Sequence, residues 1–235
     1  MQMLRIIFSL LIMAVYGFTS QGNAGGGREV SPWVSTSDSI HLLYHSLGLE
    51  GQVCEPAFVQ AVSGYRKIGQ RSRNILTIID FSKPSTEERL FVIDMDHQQL
   101  IHSSVVSHGR NSGGNYATQF SNKSGSYKSS LGFYLTASTY IGKNGYSLLL
   151  DGLEKGVNDN ARSRAIVVHG ADYANPSVIG CSGRLGRSLG CPALPQKCSR
   201  GIIDDIKGGS VMFIYADQPD YLAQSSILDS SMSKL

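Results

Sequence analysis

The sequence predicts a mainly β fold with a short helical N-terminal part. Short runs rich in Ile, Val, Leu, Phe and Tyr recur from about residue 75 to 215, each of strand length and bounded by turn residues. Twenty-six glycines against seven prolines supply the turns and close backbone approaches that such a domain uses. Sustained helical spacing is confined to residues 37–65, with one brief return at 202–206. At 235 residues the chain suits one large domain, here placed at 37–216.

Taken in order, residues 1–24 have the pattern of a secretory signal. Arg5 and the amino terminus are positive, Ile6 to Phe18 form an apolar run, and Gly22-Asn23-Ala24 offers small residues for cleavage. The run is shorter than the roughly 20 residues a bilayer span needs, so cleavage near Ala24 is expected rather than anchoring. The working compartment is then outside the cytoplasm. Residues 25–36 read as a flexible lead-in with three consecutive glycines.

Ser37-Asp38 can cap a first helix with Ile40, Leu43, Tyr44 and Leu47 on one face, ended by Gly48. Phe58, Val59, Val62 and Tyr65 mark a second helix. His41 and His45 stand four apart, but with no third ligand nearby they read as helix-surface residues. Strands are expected at 75–80, at 89–95 and 99–107 joined by an Asp96-His97-Gln98 hairpin, and at 132–136, 146–151, 164–169 and 210–215. Residues 109–130 form a long polar loop, of a length that usually serves a function. Residues 217–235 form a polar, weakly patterned tail.

The formal charge is +3 with no basic run, so composition offers no argument for nucleic acid. Four cysteines in an oxidising compartment invite a disulfide. If Cys191 stays free, at most one bridge can form. Cys181 with Cys198, or Cys54 with either, remain open. No pair has Cys-x-x-Cys spacing, so a zinc site is not expected.

The chemistry points to residues 165–193. A β-branched run ends in His169-Gly170, and a glycine-rich loop leads to Ser188-Leu-Gly-Cys191. A thiol attacks as thiolate and needs a base or a cation nearby. His169 is the only histidine in the C-terminal half. Gly190 lets backbone amides approach a reacting carbonyl. From these two residues alone, a buried structural cysteine and a satisfied core histidine are an equal alternative. His169 precedes Cys191, the reverse of the papain order.

These residues resemble the active-site signature of cysteine L,D-transpeptidases, and the likeness extends along the chain. Ile78-Ile-Asp-Phe-Ser-Lys-Pro-Ser, Val106-Ser-His-Gly-Arg-Asn-Ser-Gly, Lys128-Ser-Ser-Leu-Gly-Phe-Tyr-Leu-Thr, Asp151-Gly-Leu-Glu and Gly186-Arg-Ser-Leu-Gly-Cys-Pro-Ala-Leu-Pro are similar to the murein L,D-transpeptidase catalytic-domain family. The likeness spans roughly Tyr44 to Tyr215. It implies a β-rich catalytic domain acting on peptidoglycan stem peptides, with Cys191 as nucleophile and His169 as base and later acid. It implies that the Gly170 carbonyl orients the imidazole and that Ser188, Leu189 and Gly190 shape the oxyanion site. It also implies acylation by carbapenems, a place in the periplasm or cell envelope, and a reaction that needs no metal or organic cofactor. The expected products are a thioester, free D-alanine and a 3→3 cross-link. Hydrolysis by an L,D-carboxypeptidase and a non-catalytic peptidoglycan-binding role are the alternatives.

Three departures stand out. Leu189 replaces the family's usual histidine, Pro192-Ala193 replaces the Arg or Asn after the cysteine, and the loop from His169 to Ser188 is longer. Arg187 or Arg184 is the expected carboxylate binder in compensation. His108, Arg110, Tyr134 and Tyr173 are further candidates to line the substrate cleft.

Overall fold

The computed structural model describes residues 36–229; the signal-like segment, all but the last residue of the lead-in, and residues 230–235 lie outside the described residues. The chain forms α1 (Thr36–Ser46), α2 (Glu55–Lys67), β1 (Ile75–Asp80), β2 (Leu90–Asp94), β3 (Gln99–Ser104), β4 (Gly132–Gly142), β5 (Gly145–Gly152) and β6 (Val167–Gly170). Then come two 3₁₀ turns, α3 (Ile179–Ser182), β7 (Ala193–Leu194), α4 (Gln196–Ile206), β8 (Val211–Tyr215) and α5 (Pro219–Gln224).

The predicted β-rich fold is one eight-stranded mixed sheet in the order β3-β2-β1-β8-β4-β5-β6-β7. β1 and β8 pair in parallel at its centre, Leu76 beside Val211. Every residue of both strands is buried, which explains their unbroken apolar runs. α2 covers them with Phe58, Val59, Val62 and Tyr65. The β2–β3 hairpin turns at Gln98, whose φ is +50°, while Asp94 Oδ1 accepts the amides of Asp96 and His97. His41 and His45 each pair with a glutamate, Glu55 and Glu50.

β3 and β7 end the strand order, yet the chain just past β3 returns to β7. Ser107 bridges Ala193, with Ser107 N donating to Ala193 O at 2.8 Å, and Gly109 bridges Ser188. This seam nearly closes the sheet into a barrel. It also joins the long polar loop to the stretch that carries Cys191.

The segment 217–235, expected as a tail, is part of the body through residue 229. Tyr221, Leu222 and Leu228 are buried. The Glu154 carboxylate ties this segment down, accepting Phe133 N at 2.7 Å, Tyr221 Oη at 3.0 Å and Ser225 Oγ at 2.5 Å. Composition hid the segment because only two of the six residues in α5 face the core.

Burial raises the Glu154 pKa above the ordinary 4.5, and the three hydrogen bonds only offset this. A carboxyl whose folded pKa is raised stabilises the fold below its unfolded pKa, and that contribution is lost as pH rises through the folded value. Glu154→Gln is expected to remove this slope. Denaturation midpoints between about pH 4 and pH 8 should show the wild type losing ground to the variant as pH rises. Parallel pH profiles would refute the assignment.

Candidate active site

His169 lies on β6 between two neighbours. β5 pairs antiparallel to it, Ser147 opposite His169, and β7 pairs parallel, Ala193 opposite His169. His169 N donates to Pro192 O at 3.4 Å, so backbone pairing sets the histidine strand beside the cysteine turn. The imidazole is 4% exposed, and its Nδ1 lies 2.9 Å from Gly170 O. A carbonyl only accepts, so Nδ1 carries the proton and Nε2 is the basic nitrogen. Burial lowers the His169 pKa from 6.5, and the Gly170 hydrogen bond opposes this in part. Gly170 has its own requirement. A Cβ there would collide with the side chains of Gln196 and Ser199, so glycine lets α4 pack against β6.

The cysteine turn is locked from both sides. Ser188 Oγ donates to Cys191 O at 2.6 Å and accepts Gly190 N at 3.0 Å. Ser129 Oγ donates to Gly190 O at 3.1 Å and accepts Gly109 N at 3.0 Å. Gly190 has φ +128°, and a Cβ there would crowd Ile166 Cδ1 and Lys128 O, each at 2.9 Å. With the Gly190 amide committed to Ser188, the Leu189 and Cys191 amides are the ones with no oxygen acceptor among the described residues.

The Cys191 side chain is buried, and its Sγ donates to Ala165 O at 3.6 Å. No hydrogen bond joins it to His169 among the described residues. Burial raises the thiol pKa, while the Val167 amide and the Arg164 charge pull it down. Both shifts disfavour a preformed thiolate–imidazolium pair.

The other predicted residues divide. Leu189 is 58% exposed at the surface of the turn. Arg110 is exposed, with its guanidinium 4.2 Å over the Tyr127 ring. Tyr173 stands edge-on to His169 at 6.5 Å, and its hydroxyl is pushed up to about 12 by burial and then by charge on Cys191, so it neighbours both. Arg187 Nη1 donates to Arg110 O at 3.1 Å and Gly113 O at 2.9 Å, and Arg184 Nη1 donates to Leu185 O at 2.8 Å. Both guanidiniums are thus partly used in holding backbone.

Two candidates do not face a cleft. Tyr134 is fully buried, its hydroxyl donating to Ser130 O at 3.0 Å. His108 is 1% exposed and accepts Arg89 Nη2 on Nδ1 at 2.8 Å. Burial, and then the Arg89 charge, lower its pKa to about 4. Its backbone carbonyl accepts Ser188 N at 2.9 Å, so His108 supports the turn from behind.

Sequence reasoning missed Arg89, Ser129 and Arg164. Arg164 sits among backbone and hydroxyl acceptors, with Nη1 donating to Ser121 O and Ser130 Oγ and Nη2 to Lys128 O. In one sequence these look like strand-edge and loop residues; only the folded seam brings them behind Cys191. The expected disulfide is also missing, since all four cysteines are free thiols. Among the described residues no group of three or more His, Cys, Asp or Glu could hold a metal ion.

A nearly closed β sheet that sets an imidazole-bearing strand beside a thiol-bearing turn is a frame suited to thiol-dependent acyl transfer. Residues 49–215 match the family described as the L,D-transpeptidase catalytic domain, and the chain belongs to that family. Solved structures similar to it include an L,D-transpeptidase from Mycobacterium smegmatis, at 13% identity and TM-score 0.37, covering 61% of this chain and 59% of that one. L,D-transpeptidase 3 from Mycobacterium tuberculosis gives 14% and 0.40, covering 61% of each chain; it is also known with a faropenem-derived adduct. A helical cell shape determining protein from Campylobacter jejuni gives 12% and 0.42, covering 71% and 58%. The match thus spans about three fifths of the length of these proteins. Membership in the family rests on the match over 49–215, not on these superpositions. No curated protein matches the chain by sequence.

Proposed function

We propose that this protein is an exported peptidoglycan L,D-transpeptidase. One observation carries the reading. His169 has its Nδ1 proton held by Gly170 O, leaving Nε2 as base on the strand that borders the Cys191 turn.

In the proposed reaction the Cys191 thiol turns from Ala165 O toward the substrate, and His169 Nε2 takes its proton. Sulfur attacks the carbonyl between the diamino acid and the terminal D-alanine of a stem tetrapeptide. The amides of Leu189 and Cys191 receive the developing oxyanion. The imidazolium protonates the departing D-alanine nitrogen, and a thioester remains. A diamino-acid amine of a second stem gives its proton to His169 and attacks the thioester, forming the 3→3 amide and restoring the thiol. Incubation with tetrapeptide muropeptides tests this by mass. A cross-linked dimer with free D-alanine supports transfer, and tripeptide alone identifies a carboxypeptidase. No change in either substrate sinks the enzymatic reading.

His169→Ala is expected to slow acylation by roughly 10²- to 10⁴-fold with substrate binding retained. Because only neutral imidazole accepts the proton, the wild-type rate falls as pH drops through the His169 pKa. Burial places that limb below 6.5. The limb should vanish in the variant, and a variant with the wild-type rate and pH profile would reject His169 as base.

A further inference from the structure

A cleft lies near the Cys191 turn, walled by residues 118–122, by Lys128 and Leu131, by the turn at 156–157 and by α5. It encloses about 360 Å³, near the lower end of the roughly 300–1,000 Å³ typical of ligand clefts. Thr118, Gln119, Phe120, Lys128, Asp220 and Gln224 contribute to its lining. We propose that this cleft is a glycan subsite that holds an N-acetylated hexosamine of the substrate strand. The proposal rests on the peptidoglycan reading and extends it from the stem peptide to the sugar.

The chemistry of the walls selects the ligand class. Lys128 Nζ donates to Gln119 Oε1 at 2.7 Å, so the cation is engaged and the Gln119 NH₂ remains as a neutral donor. The Asp220 carboxylate and the Gln224 carboxamide are exposed and have no partner among the described residues. A carboxylate accepts from two adjacent hydroxyls, and a carboxamide both gives and receives. Phe120 is half-buried and stacks one face on Phe81 at 6.2 Å, which braces it as an apolar wall for a pyranose ring. Carboxylate, carboxamides, hydroxyl and a braced ring, with the one ammonium occupied, suit an uncharged polyol amide better than an anion.

Position ties the cleft to the thiol. Lys128 lines it, and the same residue's backbone oxygen accepts Arg164 Nη2 at 2.7 Å and lies against Gly190. One strap of chain separates the cleft from the nucleophile turn. The carbonyl to be attacked belongs to the third residue of a stem, so an extended stem covers roughly 10–11 Å from its sugar. That reach crosses a single strap.

The test uses the full chain and chitotriose, a trimer of N-acetylglucosamine, as probe. Calorimetric titration should show binding to the wild type and to Cys191→Ala alike, and at least about tenfold weaker binding to Asp220→Asn/Gln224→Ala. These two side chains are exposed, and changing them leaves the Tyr221 anchor in place. For turnover, a disaccharide-tetrapeptide should show a KM about tenfold below that of the free tetrapeptide in wild type. The double variant should lose that preference, its KM for the disaccharide-tetrapeptide rising to that for the free tetrapeptide. No chitotriose binding, equal binding by the double variant, or displacement of chitotriose by a free stem tripeptide would overturn the glycan subsite. Intact chitotriose binding with no turnover of either substrate would instead refute the transpeptidase reading and leave the sugar site standing.

Discussion

Cys191→Ala is expected to abolish both D-alanine release and carbapenem acylation, a loss of roughly 10⁴-fold or more for a nucleophile with no substitute. The other thiols are poorly placed to rescue it. Cys54 and Cys198 are half-buried, and burial raises the Cys54 pKa further. Cys181 is exposed on the four-residue α3, so any residual adduct should map there by peptide mass and not to the seam. The stability cost should stay near 1 kcal/mol, because alanine keeps the Cβ and removes one buried sulfur. Intact mass after incubation with a carbapenem, beside a melting curve, separates lost chemistry from lost fold. Turnover retained by the variant would end the nucleophile assignment.

Arg89→Met should carry the largest stability penalty of any single change considered, about 3–5 kcal/mol. The side chain is fully buried, and among the described residues it forms no ion pair, with only the nearby Asp80 charge to offset its own. Its Nε and Nη2 donate to Val106 O at 3.0 and 2.7 Å, and its Nη1 to Lys83 O at 3.0 Å. Nη2 also meets His108 Nδ1, and the guanidinium lies 4.8 Å over the Phe81 ring. Methionine fills similar space but leaves those acceptors unmet inside the protein, at about 1–3 kcal/mol for each. Because Val106 to Gly109 run into the seam with 188–193, acylation should also slow in the protein that remains folded. Lysine restores the charge without the planar fork and should recover only part of the loss. Urea midpoints and acylation rates of the three proteins are the measurement; a methionine variant as stable and as fast as wild type would show that the buried fork does neither task.

Most of the sheet was legible because its strands are long enough to declare themselves. Ile75–Asp80 was read to the residue, and 132–136 was found but continues to Gly142, past a register shift between Thr136 and Thr139. β7 could not be read. Two residues, Ala193 and Leu194, make no pattern, and they are a strand only because β6 and Ser107 come to them. α4 begins six residues before the expected 202–206, since Gln196 to Gly201 show little of the apolar face. At the site, His169, Cys191 and the Gly170 carbonyl were legible from residue types and order. Placement was not: His108 and Tyr134 face inward, and Arg89 and Arg164 reach the turn through acceptors that only the closed sheet supplies. Long-range pairing leaves no periodic trace in a single sequence.

The parallel pairing of β1 with β8 sets an order of events for the chain. β1 is complete by Asp80, but its central partner starts at Val211, so the middle of the sheet waits for the last described strand. The Ser107–Ala193 bridge also joins stretches far apart in the chain. Folding of this topology is governed by closure of long loops and is slow for its size. A chain still being synthesised has its early hairpin and helices but no centre and no seam. Its thiol is an ordinary cysteine until β8 and the seam are in place, and the turn that holds Cys191 takes shape only with the nearly closed sheet.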